Sequence, residues 1–160
     1  MTRFKEVTGY ALERKTILCN EGREAETGTA VRLNNGSIFI DQSQTATTVV
    51  YPVSGLHAGD IINAFRITGA IGATGSNATT VDADLRKITK GAGALTDASI
   101  GAITQVSVTA DTALDSAKAS LDEVVATDYQ YYVLVTVTTA ANAANDAFIA
   151  GVEVDLNNNI

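Results

Sequence analysis

A chain of 160 residues is long enough to bury a core unaided, and its single cysteine, Cys19, leaves no intrachain disulfide and no thiolate zinc cluster. A net charge of −7 at pH 7 argues against a protein that grips nucleic acid through its phosphates. With 21 Thr, 25 Ala, abundant Val and Ile, one Pro and no Trp, the composition favours strands, because β-branched side chains fit a pleated surface better than a helix.

Residues 1–26 carry five basic and five acidic side chains, whereas residues 27–160 carry six basic and thirteen acidic, so the whole net charge sits in the body. The first segment holds Val7, Tyr10, Leu12, Ile17 and Leu18 without clean alternation. It reads equally as an extended arm that packs on a neighbour or as a first strand. No basic n-region with a following apolar run opens the chain, and no apolar run approaches a membrane span. Assembly in a cytoplasm, without membrane contact, is the expectation.

From Thr27 onward strand signals recur between turn residues. Thr27–Leu33 leads into Asn34-Asn35-Gly36 and then Ser37–Ile40, and Asn-Gly is the pair that tolerates the positive φ of a tight hairpin turn. Thr47–Tyr51 is β-branched and stops at Pro52, which has no N–H for a central ladder. Gly55–Asp60 predicts a turn. Ile61–Ile71 alternates with Ile61, Phe65 and Ile67 on one side, and Asn63 and Arg66 break the pattern enough to suggest a bulge or bend. After a loop at Gly72–Asn77, Thr79–Thr89 alternates again, with Val81, Ala83 and Leu85 opposite Asp82, Asp84 and Arg86.

Gly91–Ala102 is rich in Gly, Ala and Ser and reads as a connection to Ile103–Ala110. Asp111–Ser120 has the only helical character in the chain and predicts a turn of helix or an ordered loop, followed by a strand at Leu121–Ala126. Gln130–Thr139 is the clearest strand: Tyr131, Val133, Val135 and Val137 share one face, and Tyr132, Leu134, Thr136 and Thr138 the other. Both faces are largely apolar, which predicts a central strand covered by the opposing sheet on one side and by the arm or a neighbouring subunit on the other. Ala140–Asp146 is a loop. Phe148–Leu156 closes the fold, with Phe148, Ala150, Val152, Val154 and Leu156 opposite Ile149, Gly151, Glu153 and Asp155. The expected fold is an all-β antiparallel sandwich, jelly-roll-like, over residues 27–160, with residues 1–26 as an N-terminal arm or first strand.

Chemistry is sparse. His57 is the only histidine, and GLHAGD (55–60) reads as a turn before it reads as a catalytic pair with Asp60. Asp82 and Asp84 share a strand face, but Arg86 continues it with a compensating charge, so a solvated face is the simpler reading. Arg86-Lys87-Ile88-Thr89-Lys90 is too small a basic cluster for nucleic acid and suits an acidic partner surface or its own acidic neighbours. Gly69, Gly72 and Gly75 lack the helix and the Gly-Lys-Ser/Thr of a phosphate loop. Asn35-Gly-Ser37 and Asn77-Ala-Thr79 match the glycosylation acceptor, which means little without a secretion signal. Tyr129-Gln-Tyr131-Tyr132 either caps both packing layers of its strand or offers rings for sugar stacking. No catalytic, cofactor-binding or metal-ligating set emerges.

Four segments together resemble a β-sandwich pattern of tailed-bacteriophage virion proteins: Pro52 through Ile61, Asp84-Leu85-Arg86-Lys87, Asp128 through Val133, and Gly151-Val-Glu-Val154. The resemblance implies a non-enzymatic capsid decoration, or cement, protein on the capsid exterior. Its partners would be the major capsid protein and itself, as a homotrimer in preference to a dimer, with no nucleic acid and no cofactor. Arg3, Phe4, Lys5, Tyr10, Arg14 and Lys15 in the arm, with Tyr132 and Leu134 on the central strand, are the residues expected to meet those partners. The alternatives are another phage structural part (tail, baseplate or fibre base) or a carbohydrate-binding sandwich that uses Tyr129–Tyr132 and the loops.

Overall fold

A computed structural model describes the strand backbone at 12–18, 23–24 and 31–34, and residues 37–74, 78–91, 93, 95–141 and 145–157. Twelve strands run in chain order: β1 (Leu12–Leu18), β2 (Arg23–Glu24), β3 (Val31–Asn34), β4 (Ser37–Ile40), β5 (Thr47–Val53), β6 (Ile61–Gly72), β7 (Thr79–Thr89), β8 (Asp97–Val108), β9 (Thr112–Lys118), β10 (Glu123–Val124), β11 (Tyr129–Thr138) and β12 (Asp146–Asn157). They form two antiparallel sheets packed as a sandwich, and no described residue is helical.

The five-stranded sheet has the order β2-β5-β11-β7-β8. The seven-stranded sheet is built on the β6–β12 pair: β10 and β9 share the free edge of β6, while β4 (followed by β3) and β1 share that of β12. Side chains that alternate inward from both sheets make one core. In the five-stranded sheet Tyr51, Val133 and Leu85 stand in register on β5, β11 and β7, all fully buried, and they face Phe65, Ile67, Val152 and Val154 of the other sheet. Asn34 pairs with Ser37, the register of the two-residue hairpin that Asn35-Gly36 predicts.

The clearest strand of the sequence is central, as its two apolar faces require: β11 lies between β5 and β7. Tyr131, Val133, Val135 and Val137 are buried, and Tyr132 and Leu134 are half-buried among in-register neighbours, Pro52 and Arg86 for Tyr132, Val50 and Asp84 for Leu134.

Several expectations are corrected. Asp111–Ser120 is not a helical turn; Thr112–Lys118 pairs with Phe65–Ile71 as an edge strand. Its small residues alternate invisibly, since only Leu114 reaches the core. The connection Gly91–Ala102 is shorter than expected because β8 begins at Asp97, and the expected strand Leu121–Ala126 contracts to the two residues of β10. Strand β5 continues through Pro52 to Val53, and this is tolerated because Pro52 lies beyond the short β2 pairing at Val49–Val50. The disturbance foreseen in β6 is a bulge: Leu156 pairs with Ile62 while Asp155 pairs with Ala64, so Ile62 and not Ile61 enters the core. A second bulge in β12 falls between Ile149 and Gly151. It switches the buried set from Ala147 and Ile149 to Val152, Val154 and Leu156, which leaves Phe148 on the outer face.

Candidate functional site

At one end of the sandwich, β5 leaves its sheet and crosses to β6 through the turn Ser54–Asp60. Gly59 makes the reversal at φ +94°, a conformation open to glycine. Asp60 is buried and accepts the His57 backbone N–H on Oδ2 at 2.8 Å, which closes the turn. Two backbone bonds stitch the turn to the segment after β10: the Gly59 N–H donates to the Val125 carbonyl (2.9 Å), and the Val125 N–H to the Asp60 carbonyl (2.8 Å). The His57 ring is 85% exposed and touches Asp60 only at 3.7 Å, so the turn reading of GLHAGD holds and this pair is no catalytic dyad.

Between this turn and the start of β11 lies a groove of about 730 Å³, lined by Pro52, Leu56, Tyr129 and Tyr131, with Ser54, Thr127, Gln130 and Lys90 among its polar residues. Its size is that of a small-molecule site. A chain of contacts fixes its aromatic wall. The Lys87 ammonium sits 4.8 Å from the centroid of the Tyr129 ring, and the Tyr131 ring meets Tyr129 edge-on at 6.3 Å. Lys87 donates to both oxygens of Glu123 at 2.8 and 3.0 Å. The Tyr131 hydroxyl donates to Glu123 Oε1 (3.3 Å) and accepts the Ala126 N–H (3.2 Å). The Lys87 ammonium is held above its usual range, first by the bond to Glu123; burial pushes the Tyr131 phenol up.

The outer face of the five-stranded sheet carries the charges that the sequence placed together. Arg86 Nη1 donates to Asp84 at 2.6 Å, and its Nε reaches both oxygens of Asp97 at 3.1 Å. Ser99 donates to Asp84 (2.6 Å), Gln105 to Asp82 (2.9 Å) and the Tyr132 hydroxyl to Asp97 (2.9 Å). Arg86 draws the Asp97 carboxyl below its ordinary range, while burial and then Asp97 push the Tyr132 phenol up. Both Asp82 and Asp84 are thus engaged in a surface network, as the compensating charge on Arg86 predicts. The basic run divides, because Arg86 points to this outer face and Lys87 to the end groove.

Another depression, about 590 Å³, lies on the outer face of the seven-stranded sheet over Gly69, Ala70 and Gly72, with Phe148, Asp111 and Asp146 as its walls. Phe148 rests on Phe39 with ring centroids 4.6 Å apart. Burial, then the charges of Asp111 and Asp41, raise the Asp146 carboxyl above its usual range. Among the described residues no group of three or more His, Cys, Asp or Glu is placed to hold a metal ion.

Of the residues expected to meet partners, Arg3, Phe4, Lys5 and Tyr10 lie outside the described residues, and Arg14 and Lys15 are described only as β1 backbone paired with Asp155 and Val154. Tyr132 and Leu134 lie on the outer face of β11, away from the end groove. Tyr129 and Tyr131 do meet in one site with loop residues, as the carbohydrate-binding alternative supposes. Leu56 and Lys90 escaped that reading. Lys90 was visible only as the end of a basic run, and the groove that gives it a place is assembled from three separate segments.

No family profile matches the chain, and no curated protein matches it either. Solved structures share its architecture at low identity. The CBM36-1 domain of a multidomain xylanase from the hindgut metagenome of Trinervitermes trinervoides is 14% identical with a TM-score of 0.50, covering 89% of this chain and 96% of that one. The CBM22-2 xylan-binding domain from Paenibacillus barcinonensis is 12% identical with a TM-score of 0.53, covering 89% and 97%. A Clostridium thermocellum xylanase structure, comprising CBM22-1 and GH10 modules complexed with xylohexaose, is 10% identical with a TM-score of 0.56; the match covers 94% of this chain and 29% of that one. These likenesses define the class of fold, a jelly-roll β-sandwich of the kind found in carbohydrate-binding modules.

Proposed function

We propose that the chain is a non-catalytic saccharide-binding module whose ligand lies in the end groove against Tyr129. The observation that carries this reading is the groove itself: an aromatic ring held by Lys87 and Tyr131, with Ser54, Thr127 and Lys90 among the residues that line the groove. A pyranose has an apolar C–H face and an equatorial rim of hydroxyls. The ring of Tyr129 suits the first, and Ser54, Thr127 and Lys90 suit the second. The solved structures of similar fold include xylan-binding domains, so xylo-oligosaccharides are the first ligands to try.

Calorimetry against a panel of oligosaccharides tests the reading. Binding is expected in the micromolar to millimolar range for at least one, with Tyr129→Ala weakening it about tenfold or more, a loss of about 1.5–3 kcal/mol for an aromatic anchor. Tyr132→Ala, on another face, is expected to leave affinity unchanged. Failure of every saccharide to bind, or full affinity in a folded Tyr129→Ala variant, overturns the proposal.

The resemblance to virion proteins and the saccharide reading do not conflict at the level of fold, since one sandwich hosts many functions. Capsid attachment as a homotrimer rests on that resemblance, and light scattering at micromolar concentration together with imaging of purified virus particles tests it.

A further inference from the structure

We infer that the end groove selects acidic saccharides, those bearing a uronate or comparable carboxylate, and that Lys90 is the residue that selects them. The inference rests on the saccharide reading of the same groove and adds the charge of its ligand.

The protein is acidic overall, yet the groove is not. Among the described residues that line it, Lys90 is the only charged one; the rest are apolar or neutral polar. A lysine at such a place would ordinarily be neutralised by a neighbouring carboxylate. Among the described residues Arg66 is paired with Asp115, Arg86 with Asp84 and Asp97, and Lys87 with Glu123, whereas Lys90 makes no ion pair. None of the described carboxylates in the segments around the groove pairs with Lys90. Asp60 caps the His57 N–H, Glu123 takes Lys87 and Tyr131, and the Asp128 carboxylate accepts the Thr127 hydroxyl at 3.4 Å.

The backbone at Lys90 is fixed even though its side chain is exposed. Its N–H donates to the Asp128 carbonyl at 2.6 Å, tying the end of β7 to the turn that precedes Tyr129. The main chain of Lys90 is therefore fixed at the groove, and its exposed side chain is long enough to reach a ligand lying there. A saccharide stacked on Tyr129 would bring a ring carboxylate to a cation that has no protein partner to give up. A neutral sugar would gain only one more hydrogen bond there. An exposed cation favours an anion over a neutral group modestly, and salt screens that preference.

The test is calorimetry with matched pairs: xylohexaose against a xylo-oligosaccharide bearing one glucuronate, and a galacturonate oligomer against its methyl ester. In each pair where binding occurs, the acidic member is expected to bind about three- to tenfold tighter near 0.05 M salt, and the advantage is expected to shrink at 0.5 M. Lys90→Gln should equalise the two members of a pair, the readout being the ratio of their affinities and not either affinity alone, and Lys90→Arg should keep the preference. Equal or weaker binding of the acidic member, or a preference that survives in Lys90→Gln, overturns the inference and leaves the saccharide reading standing. Binding of neither member of any pair overturns both.

Discussion

At Gly69 the bulge in β12 turns the Phe148 carbonyl onto the position a β-carbon would occupy. The obstacle is backbone on a central strand, so a side chain at residue 69 forces the β6–β12 pair apart. Gly69→Ala is expected to cost about 3 kcal/mol, read as a lower urea midpoint. Gly151→Ala is the contrast, since among the described residues its β-carbon would meet only the Thr68 hydroxyl at 3.3 Å, and it should cost about 1 kcal/mol or less. Asp146 makes a second residue-scale case. Its folded-state pKa lies above the ordinary value because of burial and then Asp111 and Asp41, so the native state holds this proton more tightly than the unfolded chain does. Stability from this group is present at low pH and falls as pH rises through the raised pKa. Asp146→Asn is therefore expected to raise Tm by about 1–2 °C at pH 7, with no gain near pH 3, in paired calorimetric scans.

Elements show why some of the fold was legible and some was not. Strand β11 announced itself because large and β-branched residues fill both faces, and β7 because Asp82, Asp84 and Arg86 alternate strictly with Val81, Ala83 and Leu85. Strand β9 did not, since Ala113, Ser116 and Ala117 give no contrast between faces and its pairing with β6 is a tertiary fact. The bulge in β12 hid the true partners of Val152, because one extra residue reverses every face that follows it. The groove was half visible: tyrosines cluster in the sequence, but only folding brings residues 52–58 and Lys90 to them. Its firmest link also crosses elements. Lys87 of β7 and Glu123 of β10 belong to different sheets, so their ion pair ties the two layers at the groove end. Both side chains are mostly buried. A double-mutant cycle of Lys87→Met and Glu123→Gln is expected to show a coupling of about 1–2 kcal/mol in urea unfolding. The Lys87 pKa is raised, so that contribution is complete below the ordinary lysine value of about 10.4 and disappears as pH climbs through the raised one.

For the molecule as a whole, composition settled the class of fold, because a chain this rich in Thr, Val and Ala, with one Pro and no sustained helical period, has few ways to bury itself other than in stacked sheets. It did not settle sheet membership. Strands β6 and β12, the central pair of the larger sheet, are far apart in the chain, and nothing local in either names the other. Function follows the same division. The charged outer face read from the sequence is tied up in its own hydrogen bonds, whereas the end groove depends on how the loops meet.

Leu12 of β1 and Ile61 of β6 flank the same residue of β12, Asn157, and Ile61 directly follows the turn that walls the groove. Leu12 and Asn157 thus stand at the end of the sandwich where the groove opens and not at its far end. A spectroscopic probe placed at Asn157 therefore reports on the groove end, and one placed at Asp146, at the other end of the same strand, serves as its control.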